Sequence, residues 1–392
     1  MRPRPSVLHV IRKLHLGGSE QVAISLVESL HPHFDFTVFA VGGVSDDDVG
    51  QDMLHRLRLL GIPVMGGTPL DMKLGGLLHG AALLRAAIRR VRPDVVHLHT
   101  DIPDATYAAS TMFVPGRPRE QVVRTIHNTV LWPRWVRVGR WVERRLEDAH
   151  MVGVSRAAVD ALQHFRVANG LKPLPDSQCE VVLNGVNVPG AARERRVPRD
   201  RVRVLFAGRF ELQKGVDLLP GIIEQAASLT NARVDVTVAG SGSLEPFLQS
   251  WAAQQRTGWN VRVVPPVANL PEHLGTYDVV LMPSRFEGLA LMGIECALAG
   301  TPVIFSDVDG LRDIFPAGSP LACPPEDVAA FARRLADVVN TPDRYAADAE
   351  AYVNTATRRF SLERMADDYR GVYEVALHRA VVRTPVTTGR PV

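Results

Sequence analysis

The feature that most restricts how this chain can fold is an alternation of short apolar runs with amphipathic helical stretches, and it runs through the sequence twice. Strand-like runs at 6–11, 36–40, 95–99, 122–127 and 151–154 are separated by helical stretches such as 77–90 and 135–148. After the first run comes a loop at 14–18. Ser19 then reads as the N-cap of a helix whose inner face carries Val22, Ala23, Leu26, Val27 and Leu30. The alternation lapses over VPGAARERRVPRD at 188–200, which has Pro, Gly and clustered Arg but no apolar period and reads as a linker. A second series follows, with strands at 202–207, 234–239, 261–264, 279–282 and 302–305. Strands separated by helices make parallel α/β sheets. Two Rossmann-like halves are expected, with the ligand site in the cleft between them.

Length agrees, since 392 residues exceed one ordinary core. The expected division is an N-terminal domain at 1–190, a linker at 191–200 and a C-terminal domain at 201–360. A last helix at 361–378 and a disordered tail at 379–392 complete it. Lys+Arg 45 against Asp+Glu 42 leaves a charge of +3, too balanced for a nucleic-acid protein. Cys179, Cys296 and Cys323 are odd in number and lack metal spacing, which suggests free thiols in a reducing compartment. Neither a signal peptide nor an apolar run of about 20 residues is present, so a cytoplasmic chain is expected, at most peripheral to a membrane.

Three loops of the second series follow strands and should lie at the carboxyl edge of its sheet, where ligands bind. The first holds Gly208-Arg209 and Lys214-Gly215, two cations flanking one short loop. That suits a diphosphate, and it also reads as a solvated surface. The second, Gly240-Ser241-Gly242-Ser243, lacks the full dinucleotide fingerprint because Glu245 stands at the third glycine position. The third, PSRFEG at 283–288, carries Glu287 on the loop and leads to Glu295, expected about two turns into the next helix. A carboxylate on so apolar a helix needs a donor. Vicinal hydroxyls of a ribose would serve, as would a buried salt bridge or a backbone group.

The stretch SRFEGLALMGIECALAGTPV at 284–303 resembles the signature of the GT-B retaining glycosyltransferases numbered family four. LHLGGSE at 14–20, DVVHLHT at 94–100, TIHN at 125–128, GVS at 153–155 and VVLNGVN at 181–187 are similar to further motifs of that family. So are LFAGRFELQKGVDLL at 205–219 and VAGSGSLEPF at 238–247, and all occur in the family's order. The resemblance implies a GT-B fold, two Rossmann-like domains facing each other across a cleft, the first on the acceptor side. It implies that Arg209 and Lys214 hold the diphosphate of a nucleotide-sugar donor, UDP more readily than GDP. Glu295 would accept from the ribose hydroxyls and Glu287 from those of the donor sugar, beside the backbone of Gly288, Leu289, Ala290 and Leu291. Gly17 and Gly18 would let the first domain approach the phosphate, and His127 would lie near the transferred sugar. A hydrogen-bonded histidine at a strand end is the other reading of His127.

The chain departs from the family in three places. Ala290 stands where a glycine is common, Val264-Pro265-Pro266 where Phe-Leu-Gly is usual, and Asp309-Gly310 where two glycines often occur. Sugar selectivity and base identity are thereby open. Asp307-Val308-Asp309 has the metal-binding form of another glycosyltransferase fold, but the two cations already supply positive charge, so no metal and no cofactor are expected. Asp46-Asp47-Asp48 reads as a helix start. The segment WPRWVRVGRWVERR at 132–145, with Trp132, Trp135 and Trp141, reads as a surface helix. Contact with a lipid surface and an aromatic wall for a soluble acceptor are its other readings.

Retention is implied without a clear carboxylate nucleophile, which favours front-face transfer through an oxocarbenium-like state. Arg209 and Lys214 would stabilise the leaving group, a contribution of ~3–4 kcal/mol per donor. The acceptor is a natural product, polyol, glycan or lipid hydroxyl. A GT-B epimerase or phosphorylase, and a non-catalytic nucleotide-sugar-binding subunit, are the rival readings.

Overall fold

A computed structural model describes residues 4–15, 17–72, 75–99, 101–113, 119–187, 200–267 and 269–383. The expected linker lies outside these residues except for Asp200. The chain forms two compact units, Met1–Asn184 with Leu362–Val392, and Gly185–Ser361.

Among the described residues the first unit holds seven strands: β1 (Ser6–Ile11), β2 (Asp35–Ala40), β3 (Val64–Gly66), β4 (Val95–His99), β5 (Gln121–Ile126), β6 (His150–Gly153) and β7 (Cys179–Val181). They pair in parallel in the order β3-β2-β1-β4-β5-β6-β7. The second unit holds β8 (Val202–Arg209), β9 (Val234–Ser241), β10 (Asn260–Val264), β11 (Val279–Met282), β12 (Val303–Ser306) and β13 (Ala322–Cys323). Its order is β10-β9-β8-β11-β12-β13, again all parallel. In both sheets strand order reverses beside the first strand, between β1 and β4 and between β8 and β11. A crevice for ligands forms at such a reversal, beyond the carboxyl ends of the strands.

Helices cover both faces of a sheet of this kind, so its strands are apolar without alternation. Val7, Leu8, Val10 and Ile11 of β1 are fully buried, as are Val279 and Val280 of β11. Polar residues inside such strands therefore stand out, and β1, β4 and β5 carry His9, His97, His99, Arg124 and Thr125, all buried.

Several details differ from the sequence reading. The first helix is Gly18–Leu30 with Gly17 as N-cap, not Ser19. Ser19 sits in the first turn and its hydroxyl donates to buried Glu20 at 2.7 Å, so it is not available to cap. The helix carrying Glu295 is Leu291–Ala299, which places Glu295 one turn in, because Ala290 at ψ 116° is still extended. The final helix is Leu362–Arg383, so residues 379–383 are helical and not part of a disordered tail; 384–392 lie outside the described residues. Trp132 is 5% exposed, at a left-handed φ of 52°, against the bare face of Gly139, where an added Cβ would lie 2.3 Å from the indole. It is thus core, with no surface to offer a membrane, whereas Trp135 and Val136 are exposed beside Arg134, Arg137 and Arg140. Asp47 caps the helix Asp48–Leu59 by accepting from Gly50 N–H.

Candidate active site

In the second unit the reversal between β8 and β11 brings two of the anticipated loops into contact. Arg209 ends β8, and the chain turns through 212–214 to Gly215. Gly215 has φ 65°, and a Cβ there would lie 1.9 Å from the carbonyl oxygen of Pro283. Only glycine meets both demands, the left-handed backbone and the close approach. Arg285 N–H donates to Gln213 O at 2.8 Å, and Gln213 Nε2 donates to Phe286 O at 3.2 Å, closing one loop on the other.

On this platform Lys214 Nζ reaches Glu287 Oε1 at 2.7 Å. Ser284 Oγ donates to the same oxygen at 2.7 Å. Glu287 is 5% exposed, and such a carboxylate requires charged or hydrogen-bonding partners, which Lys214 and Ser284 supply. Gly310 lies beneath it, where a Cβ would meet the Glu287 carbonyl at 2.5 Å. Arg209 is exposed and donates to Gln213 Oε1 at 2.8 Å. Gly288, Leu289 and Ala290 are buried and lead into Leu291, the first residue of the helix.

Glu295 differs. Its carboxyl makes no hydrogen bond or ion pair among the described residues, and burial pushes its pKa up to about 7. The side chain is half-buried, so its carboxyl is open to a donor from outside the chain. Asp307 and Asp309 are engaged elsewhere, both pairing with Arg312, at 2.7 and 3.0 Å.

Gly17, Gly18 and His127 belong to the first unit. An added Cβ on Gly17 would lie 2.2 Å from Glu20 Oε2, so any side chain there displaces that carboxylate. His127 follows β5, and the charge of Glu20 acts on it, placing the glycine loop and the histidine on one edge of the sheet. Burial nevertheless lowers the His127 pKa to about 4, so the ring is neutral at pH 7.

Sequence reasoning missed what stands behind His127. Its Nε2 is 3.0 Å from His99 Nδ1, and His99 Nε2 is 3.1 Å from His9 Nδ1. His9 Nε2 meets the hydroxyl of Tyr373 at 2.9 Å, which also meets His97 Nδ1 at 2.8 Å. His97 Nε2 and Thr125 Oγ1 are 2.8 Å apart, and Thr125 Oγ1 lies 2.8 Å from the Tyr369 hydroxyl. Burial holds His9 at about 3 and His97 and His99 well below the usual range. Two signals could have found this chain: histidines two apart on β4 share a face, and Tyr369 and Tyr373 lie four apart on one helix. Beside it, Arg124 of β5 pairs with Asp104 at 2.7 Å and Glu143 at 2.8 Å, and Glu143 also pairs with Arg166 at 3.2 Å.

Comparison with known proteins gives a consistent result. The family model for glycosyltransferase family 4 matches residues 16–188, and that for group 1 glycosyl transferases matches 191–358. A D-inositol 3-phosphate glycosyltransferase of Streptomyces scabiei is 31% identical over 341 residues, covering 79% of this chain and 74% of that protein. A glycogen synthase of Mycobacterium tuberculosis is 28% identical over 333 residues, 78% and 76% of the two chains. Among solved structures, Anabaena HepE in complex with UDP and glucose shares the fold at a TM-score of 0.76 and 16% identity, covering 95% of this chain and 100% of that one.

Proposed function

The chain belongs to the group 1, family 4 glycosyltransferases of GT-B fold, and on that premise we propose that it moves a hexosyl group from a UDP-sugar to a hydroxyl acceptor with retention at the anomeric carbon. The observation that carries this reading is the pairing of Lys214 with Glu287 across the strand-order reversal of the second sheet, with Arg209 on the same loop. Arg209 and Lys214 bind and neutralise the diphosphate, first in the ground state and then as leaving-group charge develops. Glu295 accepts from the ribose hydroxyls, which supply the donors its carboxyl lacks. Glu287 and the backbone of Gly288–Leu291 hold the sugar, and buried Ala290 narrows that side. The departing diphosphate oxygen takes the acceptor proton. The choice of UDP is supported by HepE, whose structures carry UDP and UDP-glucose.

No metal enters this scheme, because two cations already face the anion and Asp307 and Asp309 are paired with Arg312. The experiment is release of free UDP from UDP-hexoses, with and without hydroxyl acceptors such as inositol phosphates and glucans, in EDTA. Acceptor-dependent release supports the reading. Release that EDTA abolishes and Mn²⁺ restores would overturn metal independence, and acceptor-independent conversion would favour an epimerase.

No described helix is long and apolar enough to cross a membrane. The exposed Trp135 with Arg134, Arg137 and Arg140 is suited to rest on anionic headgroups. Co-sedimentation with phosphatidylglycerol vesicles that Trp135→Ala abolishes is the outcome this surface calls for.

A further inference from the structure

The buried chain behind His127 has a property that follows from counting protons. Seven groups are joined by six hydrogen bonds, in the order His127, His99, His9, Tyr373, His97, Thr125, Tyr369. Each neutral group carries one ring N–H or O–H, so seven protons serve six bonds and one is left over. Four orders make every bond: a neutral ring engaged at both nitrogens must donate at one, but a hydroxyl can accept from both sides, so the surplus falls on His127, Tyr373, Thr125 or Tyr369. On Tyr373 or Thr125, both buried, it would be an O–H with no partner left among the described residues. If protons point inward from His127, the surplus falls on the Tyr369 hydroxyl, which is fully buried and whose only partner among the described residues is Thr125. If they point outward from Tyr369, it falls on His127 Nδ1, on a ring that is partly exposed and whose Nδ1 has no partner among the described residues. A buried O–H left without an acceptor is costly, whereas an N–H that reaches solvent or substrate is not. The outward order wins.

We propose that this chain fixes His127 as its Nδ1–H tautomer, so that His127 serves its substrate as a hydrogen-bond donor and not as a base. The proposal rests on the reading of His127 as a substrate-side residue, and it makes His99, His9, Tyr373, His97, Thr125 and Tyr369 positioning residues. All four histidines then carry the proton on Nδ1, each Nε2 accepting from the group behind it. The same geometry argues against a metal at His9, His97 and His99. Their ligand-type nitrogens lie within 4.8 Å of one another, but all six ring nitrogens are already committed to hydrogen bonds in an interior closed to solvent.

The test is long-range ¹H–¹⁵N correlation on the full chain with ¹⁵N-labelled histidine at pH 7. The expected spectrum shows His9, His97, His99 and His127 each with a protonated Nδ1 and a bare Nε2. A protonated Nε2 on His127 would overturn the proposal. In His99→Phe the donor behind His127 is gone, and His127 is expected to show both tautomers, with a lower kcat at unchanged nucleotide affinity. A single Nδ1–H tautomer surviving in that variant would equally overturn it. If His99→Phe does not fold, the spectrum of the parent chain alone decides. Absence of glycosyl transfer alongside the expected tautomers would sink the proposed function and leave the proton order standing.

Discussion

Lys214 Nζ and Glu287 Oε1 stand 2.7 Å apart, one on the loop after β8 and the other on the loop after β11. The pair joins two roles that the sequence reading had kept separate, the cation for the diphosphate and the carboxylate for the sugar. Without a donor bound each ion answers the other, and Ser284 holds the carboxylate in place. On the proposed reading, a bound diphosphate gives Lys214 a second anion.

Glu287→Gln removes one anion from Lys214, so affinity for UDP alone is expected to stay level or tighten while turnover falls. Glu295→Gln, by contrast, is expected to weaken UDP binding itself, because its carboxyl is assigned to the ribose. Isothermal titration of both variants decides this, and equal changes in the two affinities would show the roles misassigned.

Glu295 also gives a pH signature. Burial raises its pKa from 4.5 to about 7 in the folded chain. The folded state therefore holds a proton that the unfolded chain has released. The stability this provides is complete below pH 4.5 and lost as pH rises to about 7. Glu295→Gln is expected to flatten that part of the profile and to be relatively more stable than the parent above pH 7, as read by melting temperature. If ribose hydroxyls stabilise the ionised form, UDP binding at pH 6.5 releases protons in the parent and fewer in the variant.

His127→Ala should bind UDP about as the parent does, since the side chains proposed to hold the nucleotide all lie in the second unit. Turnover is expected to fall ~10²-fold or more, the scale for loss of a positioned catalytic group. kcat and kcat/KM should fall together. Near-parental kcat on a folded preparation would leave only the structural role of a strand-end histidine.

Arg124 is 1% exposed and ion-paired to Asp104 and Glu143. Burial already pushes Asp104 up to about 7 against the pull of that arginine. Arg124→Met strands Asp104 and leaves Glu143 with Arg166 alone, and is expected to cost about 3–5 kcal/mol of stability, measured by chemical denaturation. A loss below about 1 kcal/mol would mean that water or proton uptake replaces the pair.

By itself the sequence determined the local structure and the chemistry of the loops. Apolar runs buried on both faces announce parallel strands, and 6–11, 95–99 and 279–282 are read at their full extent because no alternation competes with them. Glycines that only one backbone geometry explains mark the turns, and charged residues in loops after strands mark the ligand edge. Motif order then names the family without a single contact being known. What only the tertiary structure decided is which side chains share a partner. Lys214 and Glu287 are 73 residues apart, and their pairing follows from the strand-order reversal, which no local pattern encodes. His9 and Tyr373 are 364 apart, and they meet because the last helix returns to the first unit and because β1, β4 and β5 pair in a register that aligns His9 with His97 and His99 with Thr125. Read one at a time, those histidines are merely polar residues in apolar strands. Hydrogen bonding is a property of pairs, so the proton order that ends at His127 exists only once the sheet and the returning helix have brought all seven groups together.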